Sequence, residues 1–275
     1  MSPTQIQIGQ LHLHIQEEGE GHPVLLLHGF PDSSYLWRHQ IPVLAQEGLH
    51  VIAPDLRGFG ESEQPTEVES YHLQLILEDV VGILNHLGIE RTHVVGHDWG
   101  AGVSWMLAAL YPDRVDRLVV LSVGHPATFF QSGIEQREKS WYMLLFQFQG
   151  IAEDLLTREN WQLFRDLLRH HSEMDKWLKD LQRPGALMAA LNWYRANIAP
   201  ELWLPEKWAL PTVQAPTLGI WSSEDAYLTE TQMLLSAQQV SGSWHYERIE
   251  GASHWMQLDQ PEKLNRLLLD FLVGS

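Results

Sequence analysis

The chain reads as an α/β protein, with a mostly parallel central sheet flanked by helices and interrupted once by a helical insertion. Strand-like apolar runs alternate with helix-like segments over residues 1–126. Strand signals then disappear over 127–210, and the alternation returns over 211–275.

Residues 6–8 and 11–15 alternate apolar and polar side chains across a short turn, the pattern of an antiparallel hairpin. The continuous apolar run 24–27, ending at His28 and Gly29, suits a strand buried on both faces. A helix is expected over 37–46 and a strand over 51–54. Residues 73–87 have helical spacing, with Leu73, Leu75, Val80, Val81, Ile83 and Leu84 on one broad face. A strand at 93–95 leads into a glycine-flanked turn, followed by a helix over 100–111 and a buried strand over 118–123. The insertion instead offers amphipathic segments at 139–148, 161–169 and 185–197, and Pro205, Pro211 and Pro216 punctuate its exit. Strand, helix, strand and helix then follow at 217–221, 229–240, 244–249 and 262–272.

Composition removes several classes of function. The 275 residues include 35 acidic and 18 basic ones, for a formal net charge of -17, which argues against nucleic acid or an anionic membrane as partner. Cysteine is absent, so disulfides and thiol catalysis are excluded. The first residues lack the basic-then-apolar pattern of a secretory signal, and no apolar run has the length of a membrane span. A cytoplasmic protein is therefore expected. No histidine–carboxylate grouping has metal-site spacing, and His12, His14, His170 and His171 read as surface residues. No cofactor is implied.

The turn Gly96-His97-Asp98-Trp99-Gly100 has the spacing of a strand–turn–helix elbow that presents a nucleophile. Gly96 and Gly100 permit the close backbone approach such a turn needs. The helix dipole behind it favours an anion, so Asp98 should remain ionised. The identity of the nucleophile selects the reaction. A serine attacking saturated carbon would give an ether that neutral water cannot open. A carboxylate gives an ester, which water can hydrolyse. Asp98 therefore suits displacement at an sp³ carbon followed by hydrolysis of a covalent intermediate.

A base is needed only for that second step. His254, in the loop after the 244–249 strand, is delivered to the carboxyl edge of the sheet. The end of the 217–221 strand offers Glu224 and Asp225 as the acid that orients it, with Asp225 preferred. The order Asp98, Asp225, His254 is nucleophile, acid, base.

The sequence resembles an α/β-hydrolase of the soluble epoxide hydrolase type along nearly its whole length. The matching strings are HGFPDSSYLWRHQIP (28–42), PDLRGFGES (54–62), GHDWGA (96–101), LNWYRAN (191–197) and GASHWMQLDQPEKLN (251–265). The resemblance implies an α/β-hydrolase core over 1–126 and 211–275 with a helical cap over 127–210. It also supports Asp225 as the acid. The backbone N–H groups of Phe30 and Trp99 are expected to form the oxyanion hole, and Arg57, His28 and His97 to be structural. Tyr142 and Tyr194 lie in strings that resemble the cap segments where the family carries its oxirane-polarising tyrosines. Phe30, Trp99, Phe146 and Trp255 are expected to contact substrate. Tryptophans at Trp141, Trp161, Trp177, Trp193, Trp203 and Trp208 add the expectation of an aromatic-rich pocket and an apolar epoxide.

Haloalkane dehalogenases share the aspartate nucleophile but need N–H donors for a departing halide. Phe30 stands where many of them carry a halide-binding asparagine, but Trp99 is retained and a cap tryptophan could supply another N–H, which keeps that reading open. A haloacetate dehalogenase would carry arginine where this chain has Trp99. A non-catalytic binding protein on the same fold is a third reading, and an intact triad argues against it.

Overall fold

A computed structural model describes residues 2–129, 131–198, 200 and 210–274. Its strands are β1 (Ser2–Ile8), β2 (Leu11–Glu18), β3 (His22–Leu27), β4 (Leu49–Pro54), β5 (Thr92–His97), β6 (Val115–Leu121), β7 (Thr217–Ser222) and β8 (Trp244–Ile249). They form one sheet in the order β1-β2-β4-β3-β5-β6-β7-β8. β1 pairs antiparallel with β2, and β2 with β4. Every other pairing among these strands is parallel.

The parallel strands carry the core. Val24–Leu27 of β3, Val51–Ala53 of β4 and Leu118–Leu121 of β6 are fully buried. Helices cover both faces of such strands, which is why they read as unbroken apolar runs rather than alternating ones. Helix Trp99–Leu110 packs against β5 and β6. The carboxyl ends of β3, β5, β6, β7 and β8 lie side by side, and the loops leaving them meet at one edge.

Between β6 and β7 the described residues form helices and no strand. Trp203, Trp208 and Pro205 lie outside the described residues. Several boundaries differ from the sequence reading. The helix expected over 37–46 divides into a 3₁₀ segment, Ser34–His39, and a helix, Ile41–Gln46, because Pro42 starts a new first turn. The 139–148 segment breaks at Ser140 into Gly133–Lys139 and Trp141–Phe146. Residues 161–167 end a longer run, Ile151–Leu167, kinked where Glu159, Asn160 and Trp161 have positive φ. Helix Met174–Leu181 was not anticipated. It buries Met174, Trp177, Leu178 and Leu181, a face only two turns long.

Two histidines expected at the surface are not there. His14 is largely buried, with Nδ1 3.0 Å from Asp55 Oδ2. Asp55 also accepts the Ser34 and Glu61 N–H groups at 2.7 and 2.8 Å, which fixes the PDLRGFG loop. His171 stacks on Trp177, with ring centroids 5.0 Å apart, and lies 5.0 Å from the Trp255 ring. No helix among the described residues is long and apolar enough to cross a membrane.

Candidate active site

Asp98 follows β5 directly and has φ 52 and ψ -121, a backbone conformation that non-glycine residues rarely adopt. That turn pushes the carboxylate out of the sheet edge. It is possible because Gly100 lies against the end of β3, where a Cβ would stand 2.1 Å from the Leu27 carbonyl oxygen. Gly29 performs the same service from the other side, since a Cβ there would meet Asp98 Oδ1 at 2.2 Å. The Phe30 N–H donates to Asp98 Oδ1 at 2.7 Å. Trp99 is the first residue of its helix, so its N–H is among those with no acceptor inside the helix.

His254 lies between two carboxylates. Its Nδ1 is 2.8 Å from Asp225 Oδ2, and its Nε2 is 3.6 Å from Asp98 Oδ2. The first is a hydrogen bond; the second is an ion-pair distance too long for a direct one. Asp225 is buried, and its Oδ1 accepts the Tyr227 and Leu228 N–H groups at 2.8 and 2.9 Å. Glu224 is exposed beside it. Burial opposes all three charges, and the cluster overcomes it by mutual pairing. Burial alone would lower His254, but Asp225 and then Asp98 push it up to about 10. Burial would raise Asp98 and Asp225, but His254 holds both below the ordinary carboxylate value. The Phe30 N–H contributes for Asp98, and the Tyr227 and Leu228 N–H groups for Asp225.

Tyr142 and Tyr194 come from helices Trp141–Phe146 and Ala186–Asn197 and line the space over Asp98. The LNWYRAN string aims the second of them. Trp193 Nε1 donates to the Arg57 carbonyl at 3.1 Å, and Asn197 bonds the backbone of Leu73 and Tyr71 at 2.9 and 2.8 Å. Arg195 Nε donates to the Phe146 carbonyl at 2.9 Å, tying the two tyrosine helices together. Burial, then the Asp98 charge, pushes both phenols well above their ordinary value, so both keep their protons.

Two cavities meet at Asp98, Tyr142 and Tyr194. The larger, about 100 Å³, is lined by apolar groups including Leu73, Val123, Phe129, Met143 and Ile198, with Trp99. The smaller, about 20 Å³, reaches His254 and is walled by Phe30, Leu167, Tyr227 and Trp255. Phe146 lines neither cavity. It packs behind the two tyrosines, with ring centroids 5.4 and 4.9 Å away, and supports them. The described tryptophans of the insertion line neither cavity; the larger cavity owes its apolar lining mainly to aliphatic groups, whereas the smaller is walled largely by aromatic rings, Phe30, Tyr142, Tyr194, Tyr227 and Trp255.

Near His254, Ser122 and Tyr227 escaped the sequence reading, whereas His97 has the structural role expected of it. His97 Nε2 and Ser122 Oγ both bond the His254 carbonyl oxygen, at 2.9 and 3.2 Å. The Tyr227 ring stands edge-on to His254 at 5.2 Å. The adjacency of His97 to Asp98 was a signal for its role; Ser122 carried none. Arg57 is structural: its Nε and an Nη meet the two Asp79 oxygens at 2.6 Å each. Among the described residues, His22, His93 and Asp116 form one grouping able to hold a metal, at the opposite edge of the sheet. Arg91 Nε already lies 2.6 Å from Asp116 Oδ1 there, which disfavours a cation.

Residues 22–261 match the family described as α/β hydrolase fold. The chain belongs to the α/β-hydrolases. Among the relatives of this hydrolase, epoxide hydrolase A of Mycobacterium tuberculosis is 33% identical, over 99% of this chain and 98% of its own length. Epoxide hydrolase 2 of Caenorhabditis elegans is 34% identical, over 97% of this chain and 79% of its own. The crystal structure of Bacillus megaterium epoxide hydrolase in complex with an inhibitor superimposes with a TM-score of 0.89 at 30% identity. That match covers 98% of this hydrolase and 100% of the other chain.

Proposed function

We propose that this α/β-hydrolase converts an apolar epoxide and water to a vicinal diol through an aspartyl ester on Asp98. The single observation that carries the reading is the placement of two protonated phenols, Tyr142 and Tyr194, on the walls that Asp98 shares with both cavities. The helical insertion acts as a cap that brings those phenols over the core.

In the first step a carboxylate oxygen of Asp98 attacks one ring carbon of the epoxide. The carbon–oxygen bond breaks, and Tyr142 and Tyr194 donate hydrogen bonds to the developing alkoxide. A phenol suits this role because its proton stays on oxygen until strong negative charge appears nearby. Ester formation removes the negative charge of Asp98, one of the two that raise the pKa of His254. The imidazolium therefore becomes more acidic and yields its proton to the alkoxide oxygen, which becomes one hydroxyl of the eventual diol, leaving a neutral base.

In the second step His254 takes a proton from water, which attacks the ester carbonyl carbon. Asp225 fixes the imidazole through Nδ1 and stabilises the imidazolium that re-forms. The Phe30 and Trp99 N–H groups hold the tetrahedral oxyanion. The bond from Phe30 N–H to Asp98 Oδ1 supports this, because that oxygen becomes the oxyanion. Collapse releases the diol and restores Asp98.

The larger cavity supports an apolar substituent, and the cavity beside His254 has room for a water-sized nucleophile. Halide departure is less well served. The indole N–H groups of Trp177 and Trp193 are taken by Asp32 and by the Arg57 carbonyl. Turnover of styrene oxide, a bromoalkane and fluoroacetate, measured side by side, tests the reading. Diol formation from the epoxide alone is expected; preferential halide release would replace it with a dehalogenase.

A further inference from the structure

Asp32 closes the HGFPD string, lines neither cavity, and is buried. Its two carboxylate oxygens are taken by two indoles from different parts of the fold. Oδ1 accepts Trp177 Nε1 at 2.7 Å, and Oδ2 accepts Trp255 Nε1 at 2.9 Å. Trp177 belongs to helix Met174–Leu181 of the insertion. Trp255 follows His254 in sequence and stands edge-on to its ring, with centroids 5.1 Å apart and planes at 87°. The two indoles also touch each other, at 4.5 Å between centroids. Burying a carboxylate among neutral donors is costly, so a fold that retains one gains something from its shape.

We infer that Asp32 is a positioning residue that registers the helical insertion and the His254 loop on one carboxylate. The inference builds on the two-step reading above. An indole nitrogen can only donate, and two indoles that converge on one side chain require two acceptor atoms. A carboxyl group supplies them at the reach of a single methylene; burial pushes its pKa up to about 7, and the two indole donors pull against that rise. Seating the insertion through Trp177 sets the phenols over Asp98. Holding Trp255 sets one wall of the His254 ring, whose opposite constraints are Asp225 at Nδ1 and His97 and Ser122 at its carbonyl. Both half-reactions thus depend on Asp32, which never touches the reacting atoms.

Asp32→Asn is nearly isosteric but keeps only one acceptor and turns an NH₂ toward the other indole. Rapid-quench mass spectrometry separates alkylation from ester hydrolysis in this variant, in Trp177→Phe and in Trp255→Phe. Trp177→Phe should slow alkylation, Trp255→Phe should slow hydrolysis, and Asp32→Asn should slow both, each by about tenfold or more. Adding Trp255→Phe to Asp32→Ala, which removes both acceptors, should slow hydrolysis no further, because both remove the same bond. Both steps within about twofold of wild type in a folded Asp32→Asn protein would overturn the inference, even with a lowered Tm. If Asp32→Asn does not fold, the two Trp→Phe variants decide by whether each slows its own step. A substrate-free readout stands apart from the aspartyl-ester reading. The Trp177 and Trp255 indole N–H resonances should be downfield and slow to exchange in the wild type, and at least one should lose both properties in Asp32→Asn. Two unchanged resonances would equally overturn the inference.

Discussion

His254 Nε2 lies 3.6 Å from Asp98 Oδ2 while its Nδ1 lies 2.8 Å from Asp225 Oδ2, so one imidazole bridges two carboxylates that the sequence separates by more than a hundred residues. The unequal distances divide the labour. The short contact orients the ring permanently. In the proposed mechanism the long one would leave the Asp98 oxygen free to attack, and would release the proton on His254 once Asp98 became neutral.

Replacing His254 with Gln should still permit alkylation, because the phenols activate the ring, and should stop hydrolysis, because no base remains to activate water. Intact-protein mass spectrometry after epoxide addition should find one substrate mass added, and peptide mapping should place it on Asp98. Asp98→Ala should form no adduct, and Asp98→Ser should not restore turnover, since its product would be an ether. A His254→Gln protein that never reacts with epoxide would contradict the division of steps.

The bridged proton also couples stability to pH. The folded state raises His254 from 6.5 to about 10, so it binds that proton more tightly than the unfolded chain does. The resulting stabilisation is complete below about pH 6.5 and is lost as pH rises through about 10. The Tm of the wild type should therefore fall over this window more steeply than that of His254→Gln. Parallel curves from differential scanning calorimetry would show that the imidazole is not held protonated.

Asp225→Asn should slow ester hydrolysis strongly, because the amide cannot compensate an imidazolium at 2.8 Å. Glu224→Gln should change little, since Glu224 is exposed. Single-turnover rates of both variants test the assignment, and the reverse ranking would move the acid to Glu224.

The legibility of these groups in the sequence followed their local context. Asp98, Asp225 and His254 each stand within a few residues of a strand's carboxyl end, and an apolar run marks the first two of those strands, so pattern and chemistry pointed together. Glycine spacing announced the elbow, although it could not reveal the φ of 52 at Asp98. Asp32 and His171 were opaque, because their roles arise from Trp177 and Trp255, distant in sequence. Phe146 was expected to contact substrate, yet it packs behind Tyr142 and Tyr194. The face that a residue presents within a short helix depends on tertiary packing, and helix Trp141–Phe146 has only six residues with which to declare a period.

Tyr142 and Tyr194 provide the sharpest separation between epoxide opening and halide displacement. Each phenol should donate to the ring oxygen as charge develops there, and in the proposed mechanism neither takes part in ester hydrolysis, whose oxyanion would be held by backbone N–H groups. Removing one hydroxyl should weaken the alkylation transition state by about 1.5–3 kcal/mol, the range for a hydrogen bond to a charged group. That corresponds to a rate loss of roughly tenfold to a hundredfold. The double variant should lose far more, since no phenolic donor would remain over the ring. Phe substitution keeps the ring packing against Phe146, so the fold should persist and the loss should appear in chemistry. Pre-steady-state alkylation in Tyr142→Phe, Tyr194→Phe and the double variant measures this directly. An unchanged alkylation rate in the double variant, combined with efficient bromoalkane turnover, would assign the site to halide displacement instead.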